Sequence, residues 1–180
     1  MRLLRHEART VLALARWLGR RVPAGFTYHR GLRRMVGLLA FGVLVEGVIV
    51  DLLLAAILPG TPWPWIVLAL HGWAAVELAG VYAGLATRPH LLDEDSLLIR
   101  DGHGPEIRVP LADIVSARRI DEPVGGRSGL VVDGGRATLA HSRATVALRV
   151  DPALLVGEDT VRTVRLTADD PDRLLAGLAR

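Results

Sequence analysis

The 180-residue sequence contains no cysteine and no lysine, and aromatic residues make up only 4% of it. Without thiols or lysine amines, the chain cannot form disulfides, cysteine-ligated zinc or iron–sulfur centres, or lysine Schiff bases. All 22 basic residues are arginines, and they are unevenly distributed. Residues 1–35 contain nine arginines and one acid, residues 36–87 contain three acids and no arginine, and residues 88–180 contain 13 arginines and 15 acids. The chain therefore divides into three segments of different chemistry.

The middle segment consists of two long apolar runs. Residues 36–58 and 66–87 supply 23 and 22 predominantly apolar residues, and about 20 are enough to cross the hydrocarbon core of a bilayer as a helix. The short PGTPWP segment between them contains three prolines, which end one helix and force an antiparallel return. Two buried helices of a soluble protein are the alternative, but the length of both runs and the uncharged turn favour a transmembrane hairpin over 36–87.

The arginines around this hairpin predict its orientation. Arg30, Arg33 and Arg34 precede the first run, Arg88 follows the second, and the turn has none. Positively charged flanks remain on the cytoplasmic side. We therefore expect a multi-pass protein of the cell membrane with both termini in the cytoplasm. An N-terminal signal peptide is not expected, because the first apolar stretch is short and is followed by arginines.

Residues 1–35 predict a basic amphipathic segment. Apolar side chains recur at helical spacing from Leu4 through Val11 to Leu18, and most arginines lie off this stripe. We expect the segment to lie in the membrane interface and bind anionic lipid headgroups through Arg5, Arg9, Arg16, Arg20 and Arg21. The alternative is that the apolar stripe packs on the cytoplasmic domain. Nucleic-acid binding is not expected, because no base-reading motif accompanies the charge.

After Pro89 the pattern changes to short β-type runs separated by turn residues. Seven strands are predicted, at 96–100, 106–110, 114–120, 129–133, 136–141, 145–150 and 160–166. Asp169 or Asp170 can then cap a final helix that has Pro171 in its first turn. The predicted class is an α+β membrane protein in which the hairpin precedes a small β-barrel or sandwich at 88–180, covered by this helix.

Four ionisable residues lie inside the predicted spans: Glu46 and Asp51 in the first, His71 and Glu77 in the second. Each costs roughly 2.5–3.5 kcal/mol to insert, so their presence calls for an explanation. Counted from the cytoplasmic ends of the spans, Glu46 and Glu77 share one level, and Asp51 and His71 share a deeper one. With Glu46 facing Glu77, Asp51 and His71 point to one flank, which favours a second copy or a partner protein covering it.

Three interpretations of these polar residues remain open. They can be structural, as a Glu–Glu pair and an Asp–His pair that fix the register of a homo-oligomer. They can form a proton or ion path. They can also bind a metal or porphyrin between protomers, although neither helix has an HxxxH or ExxH spacing. We favour the structural interpretation and predict no metal site.

Residues 36–180 resemble a family of uncharacterised actinobacterial membrane proteins in which a two-helix hairpin precedes a bacterial pleckstrin-homology-like (PH-like) domain. The resemblance is carried by RPHLLDEDSLLIRDG (88–102), RVPLADIVSARRI (108–120), TVALRVDPALLV (145–156) and TVRTVRLTADDPDRLLAGL (160–178). It implies a seven-stranded, helix-capped barrel, a cell-membrane location and no catalytic residues. The first strand-to-strand loop, DGHG at 101–104, is not basic, so a phosphoinositide pocket lacks its electrostatic basis.

No catalytic residue or cofactor is predicted, and we do not expect an enzyme. The serines lack a nucleophile motif, and the glycine pairs do not precede a phosphate-binding helix. The histidines outside the spans are interpreted as solvated or capping residues: His6, His29, His90, His103 and His141. The sequence thus predicts a membrane-anchored, homo-oligomeric binding or scaffolding module with an unidentified protein partner. The alternative is a channel or transporter component that uses the intramembrane acids.

Overall fold

The computed structural model describes residues 13–19, 24–102, 104–124, 129–141 and 143–179. It is an α+β protein with two long apolar helices followed by a β-sheet domain, as the sequence predicts. Residues 13–18 are helical. The predicted lipid-binding residues Arg5, Arg9, Arg20 and Arg21 lie outside the described residues.

The two apolar helices form an antiparallel pair. Helix α1 spans Arg30–Ile57 and helix α2 spans Trp63–Thr87. Pro59, Gly60 and Pro62 separate them, because proline cannot continue a helix and Gly60 adopts a positive φ of 75°. Both helices begin earlier than the apolar runs, since α1 includes the arginines at 30, 33 and 34, and α2 includes Trp63 and Trp65.

Eight strands lie among the described residues of the β-sheet domain. They are β1 Leu91–Leu92, β2 Ser96–Arg100, β3 Glu106–Pro110, β4 Ile114–Pro123, β5 Gly129–Asp133, β6 Arg136–Ala140, β7 Arg143–Val156 and β8 Asp159–Leu166. Helix α3, Pro171–Leu178, follows, with the Asp170 side chain accepting a hydrogen bond from the Arg173 amide at 3.0 Å. Each of the seven predicted strands and the final helix thus corresponds to an observed element, and in the described part of the domain only the two-residue strand β1 is additional.

The strands form two separate sheets among the described residues, which differs from the closed barrel expected. A three-stranded antiparallel sheet has the order β1-β2-β3, and a five-stranded sheet has the order β4-β7-β8-β6-β5. Strand β8 pairs in parallel with β6, with Ala137 opposite Val164, and antiparallel with β7. Because β8 lies between β7 and β6, β4 and β5 become the two edges of the larger sheet and do not close it.

The core of the domain lies between the two sheets and under α3. Alternating residues of the strands are buried there, as expected for strands with one buried face. They include Leu97, Ile99, Val109, Leu139, Val146, Leu148, Val150, Val164 and Leu166. Leu174 of α3 is fully buried against the same cluster. Helix α3 therefore covers the core, as the sequence predicts.

Candidate functional site

Helices α1 and α2 pack closely where Gly47 meets His71. A Cβ atom added at Gly47 would lie 2.7 Å from the Cβ and 2.8 Å from the Cγ of His71, so only glycine fits beneath the imidazole. The ring is held on its own helix, because His71 Nδ1 lies 2.9 Å from the carbonyl oxygen of Val67. Glycine at position 47 thus allows the two backbones to approach.

The Gly47–His71 contact sets a register that differs from the one expected from the sequence. With these residues at one level, antiparallel packing places Glu46 near the level of Gly72, about 7 Å along the axis from Glu77. Glu46 is exposed on the outside of α1, whereas Glu77 is half-buried. The expected Glu46–Glu77 pair across the hairpin is therefore wrong. Counting from the cytoplasmic ends of the spans fails because the Gly47–His71 contact shifts the two helices by about five residues relative to that count.

Asp51 and His71 are likewise offset. Asp51 lies four residues beyond Gly47 on the same face of α1, which puts it about 6 Å along the axis from His71. The Oδ1 atom of Asp51 is buried and has no hydrogen-bond partner among the described residues. The structure thus brings His71 against α1 but leaves the Asp51 carboxylate without the partner that the sequence suggested.

A second cluster joins the start of α1 to the β-sheet domain. His90 is fully buried. Its Nδ1 accepts the backbone N–H of Arg100 at 3.0 Å, and its Nε2 lies 2.9 Å from the carbonyl oxygen of Thr167. These two bonds specify the tautomer with the proton on Nε2. Burial lowers the pKa of His90 to about 4, since the charged ring would be desolvated, although the Thr167 carbonyl opposes the shift.

Tyr28 completes this cluster. Its ring stacks on His90 and lies parallel to His141, at centroid distances of 4.4 Å and 6.2 Å. The phenol oxygen accepts the backbone N–H of Gly102 at 2.7 Å, and burial raises the pKa of Tyr28 to about 12. His141 Nε2 lies 2.7 Å from Asp101 Oδ1. The interpretation of His90 as a solvated or capping residue is wrong: both ring nitrogens are used to hold the junction together.

Backbone contacts at the same junction tie the first helix to both ends of the domain. Phe26 and His90 exchange two backbone hydrogen bonds of 2.9 Å and 3.0 Å. The Asp169 carboxylate accepts the N–H of Arg30 at the beginning of α1, and the Asp169 amide donates to the Thr27 carbonyl at 2.7 Å. His29, at the cap position of α1, makes no capping bond itself. The cap therefore comes from a residue far along the chain.

The outer face of the larger sheet carries a small polar cavity. Its volume is about 180 Å³, and its lining includes Glu122, Asp133, Arg136, Thr138 and Arg165. Arg165 forms an ion pair with Glu122, while the Nε atom of Arg165 is buried without a hydrogen-bond partner among the described residues. The cavity combines both charge signs with a donor that has no partner among the described residues.

The described residues contain no group of three or more histidine, aspartate and glutamate side chains placed to hold a metal ion. Of the predicted lipid-binding arginines, Arg16 is described, and it is exposed in the helical stretch 13–18. Beside it, Trp17 packs edge-on against Tyr82 of α2, with ring centroids 5.8 Å apart. This stretch therefore contacts the helix pair.

Comparison of the chain with protein-family models, curated proteins and solved structures finds no match in any of the three.

Proposed function

We propose that this chain is a membrane-anchored binding module, with the α1–α2 hairpin crossing the cell membrane and the β-sheet domain at the cytoplasmic face. One observation carries the proposal: the two helices are long and apolar enough to span a bilayer, yet the other described residues leave them largely uncovered. In their most apolar stretches only 6% of the residues of α1 and 11% of those of α2 are buried. Phe41 is 66% exposed and Leu38 72% exposed. Lipid hydrocarbon would cover this apolar surface, because water-soluble proteins rarely expose an apolar patch of this size.

The arginine distribution supports the orientation. Arg30, Arg33 and Arg34 lie in the first turns of α1, and Arg88 follows α2, so both ends nearest the domain are basic. The turn at 58–62 has no charge. The positive-inside rule then puts both termini and the β-sheet domain in the cytoplasm.

The junction supports a scaffolding role rather than a loose tether. The Phe26–His90 bridge, the Tyr28–Gly102 hydrogen bond and the Asp169 cap of α1 all connect the helix pair to the domain. Such contacts fix the orientation of the sheets relative to the bilayer. A protein partner would therefore meet the domain in one orientation and at one height above the membrane.

For the domain itself we propose a PH-like binding role toward a protein partner. The support is the packing of helix α3 over the two sheets and the polar cavity at Arg165 and Glu122. The domain differs from the closed barrel that the resemblance implies in its parallel β6–β8 pair and in the open edges of its larger sheet.

We further propose that the hairpin self-associates through the face of α1 that carries Glu46. This residue lies mid-helix and is exposed, where a lipid-facing carboxylate would cost roughly 2.5–3.5 kcal/mol. Gly42, one turn earlier, has open space where a Cβ would stand. A second copy that packs at Gly42 would cover Glu46 and provide it with a hydrogen-bond partner.

Single-cysteine labelling tests the topology, since the chain has no cysteine of its own. Thr61→Cys should react with an impermeant thiol reagent on intact cells. Asp133→Cys, on an exposed position of the β-sheet domain, should react only after the cells are opened. Labelling of Asp133→Cys on intact cells would overturn the orientation, and recovery of the chain in the soluble fraction would overturn membrane anchoring.

Photobleaching of single labelled protomers in nanodiscs tests self-association. Glu46→Leu should shift the population to monomers, whereas Glu46→Gln, which retains hydrogen-bonding groups, should preserve the oligomer. A monomeric wild-type protein, or an oligomer unaffected by Glu46→Leu, would contradict the Glu46 interface.

One observation favours the alternative, a channel or transporter component: the Asp51 carboxylate oxygen that is buried without a partner. Ionisable side chains inside membrane-spanning segments often mark ion paths and proton relays. Under this alternative, proton or ion flux in liposomes should be measurable and should be lost in Asp51→Asn with the oligomer intact. Absence of flux in the wild type would leave the scaffold proposal in place.

A further inference from the structure

A groove opens where the beginning of α1 approaches the end of α2. It has a volume of about 840 Å³, and its lining includes His29, Arg33, Arg34, Leu38 and Tyr82. A second depression of about 570 Å³ adjoins it and reaches Trp17, Ala40 and Ala79. The two share Arg33, Gly37 and Tyr82. Together they form one continuous surface, which we call the α1–α2 groove.

One end of the α1–α2 groove is strongly basic. Arg30, Arg33 and Arg34 all line it, and none of the three forms a salt bridge with another described residue. Asp169 contacts this end of α1, but its carboxylate accepts the backbone N–H of Arg30. Three guanidinium groups on neighbouring turns of one helix therefore remain available to an anion, and arginine binds phosphate oxygens well.

The other end of the groove is apolar and lined by small residues. Gly37, Ala40 and Ala79 lie there beside Val36. A Cβ atom at Gly37 would meet nothing within 4 Å, so this part of the groove is open space. From Arg30 to Ala40 the groove follows α1 for about 15 Å, which is the direction from headgroups into hydrocarbon in the proposed orientation.

Aromatic rings form the wall between these two ends. Tyr82 is contacted edge-on by His29, at a centroid distance of 5.5 Å, and by Trp17 on its other side at 5.8 Å. Tyrosine and tryptophan are enriched at the headgroup level of membrane proteins. The groove thus changes from charged to aromatic to apolar in the order in which a phospholipid changes from headgroup to acyl chain.

We infer that the α1–α2 groove binds an anionic phospholipid, with its phosphate at Arg30, Arg33 and Arg34 and one acyl chain along Gly37 and Ala40. This inference rests on the proposed membrane insertion of the hairpin. A soluble phosphate compound would use only the basic end and would leave the apolar end open, whereas a phospholipid uses both. The site differs from the interfacial binding predicted for the arginines between positions 5 and 21, because it uses other arginines and holds one lipid between two helices.

Trp17 provides a fluorescence probe inside the groove. A protein with Trp63, Trp65 and Trp73 changed to phenylalanine retains Trp17 as its single tryptophan. It is placed in phosphatidylcholine nanodiscs that contain a fixed minor fraction of either brominated phosphatidylglycerol or brominated phosphatidylcholine. Bromine on the acyl chain quenches tryptophan only at close range. Selective binding should make brominated phosphatidylglycerol the stronger quencher at equal mole fraction.

Two variants separate the site from general attraction to the membrane. Arg33→Gln should lower the preference for phosphatidylglycerol about fivefold, while Arg118→Gln, an exposed arginine on β4, should not change it. Gly37→Leu should fill the apolar end and reduce quenching by both brominated lipids without removing a charge. Its control is Gly72→Leu, which also enters open space but lies outside the groove.

Equal quenching by the two lipids in the single-tryptophan protein would overturn the inference, as would a preference unchanged by Arg33→Gln together with quenching unchanged by Gly37→Leu. These outcomes would leave membrane insertion intact, since the protein would still be in the nanodisc. Failure of the protein to enter nanodiscs at all would instead overturn the proposed function together with this site.

Discussion

The ring of Tyr28 stacks on the imidazole of His90, with ring centroids 4.4 Å apart and planes 12° from parallel. Tyr28 lies two residues before the first long helix, and His90 lies three residues after the second. The stacked pair therefore closes the hairpin at its domain end. It also links the hairpin to the sheets, because each side chain hydrogen-bonds a backbone group of the β-sheet domain.

Removing the Tyr28 hydroxyl should weaken this link. Tyr28→Phe leaves the buried N–H of Gly102 without its 2.7 Å acceptor, which should cost about 1–3 kcal/mol of unfolding free energy. Chemical denaturation of the full chain in detergent measures the free energy of unfolding. Tyr82→Phe is the matched control, since no hydrogen bond of the Tyr82 hydroxyl is found among the described residues, and it should change stability by less than about 0.5 kcal/mol.

Stability should fall on acidification because His90 is buried in its neutral form. The unfolded chain binds a proton at this histidine near pH 6.5, whereas burial lowers the pKa of His90 in the folded state to about 4. The carboxylates of Asp101 and Asp169 oppose this shift, and Arg100 adds to it. The contribution of neutral His90 to the free energy of unfolding is complete above pH 6.5. It decreases by on the order of 3 kcal/mol as the pH falls toward about 4.

Unfolding measured from pH 7 to pH 5 tests this dependence, in a range where few carboxylates titrate. His90→Gln should be less stable than the wild type at pH 7 but should show a smaller change with pH. Parallel pH profiles for the two proteins would mean that His90 is not the titrating group.

The close contact at Gly47 predicts an asymmetry between one glycine of α1 and one of α2. Gly47→Ala should cost about 1–3 kcal/mol, because the new methyl would lie 2.7 Å from His71 Cβ. Gly72→Ala, on α2, has open space and should stabilise its helix by up to about 1 kcal/mol. Thermal unfolding of both variants in the same detergent compares their stabilities. Equal effects of the two substitutions would argue against the observed helix register.

Two neighbouring aspartates should protect different helices from hydrogen exchange. Asp169→Ala removes the acceptor of the Arg30 N–H and should speed hydrogen exchange at the beginning of α1, with a loss of about 1 kcal/mol. Asp170→Ala removes the acceptor of the Arg173 N–H and should act on α3 instead. Hydrogen exchange resolved by peptide distinguishes the two. Faster exchange in α3 alone for both variants would contradict the long-range cap.

Local sequence patterns were sufficient to predict most of the secondary structure. Strands β2 and β3 occupy the predicted residues 96–100 and 106–110, and α3 begins at Pro171 after an aspartate cap. These elements depend on alternation, turn residues and capping, all of which are read over a few positions.

The arrangement of the elements was not predictable in the same way. The parallel pairing of β6 with β8 depends on packing between residues well separated in the chain. The helix register depends on the missing side chain at Gly47, which the apolar pattern does not distinguish from other glycines. The burial of His90 depends on Thr167, 77 residues later. The sequence signal available for the junction was an aromatic residue before one helix, Tyr28, and a histidine after the next, His90.

The capping of Arg30 by Asp169 has a consequence for biogenesis. The two residues are 139 positions apart, and at 5–20 residues per second the ribosome needs roughly 7–28 s to make the intervening chain. During that interval α1 and α2 leave the ribosome, while the acceptor for the first N–H of α1 does not yet exist. The helix pair must therefore remain folded without this hydrogen bond during that interval. The contact between the domain and the beginning of α1 forms only after the last strand has been translated.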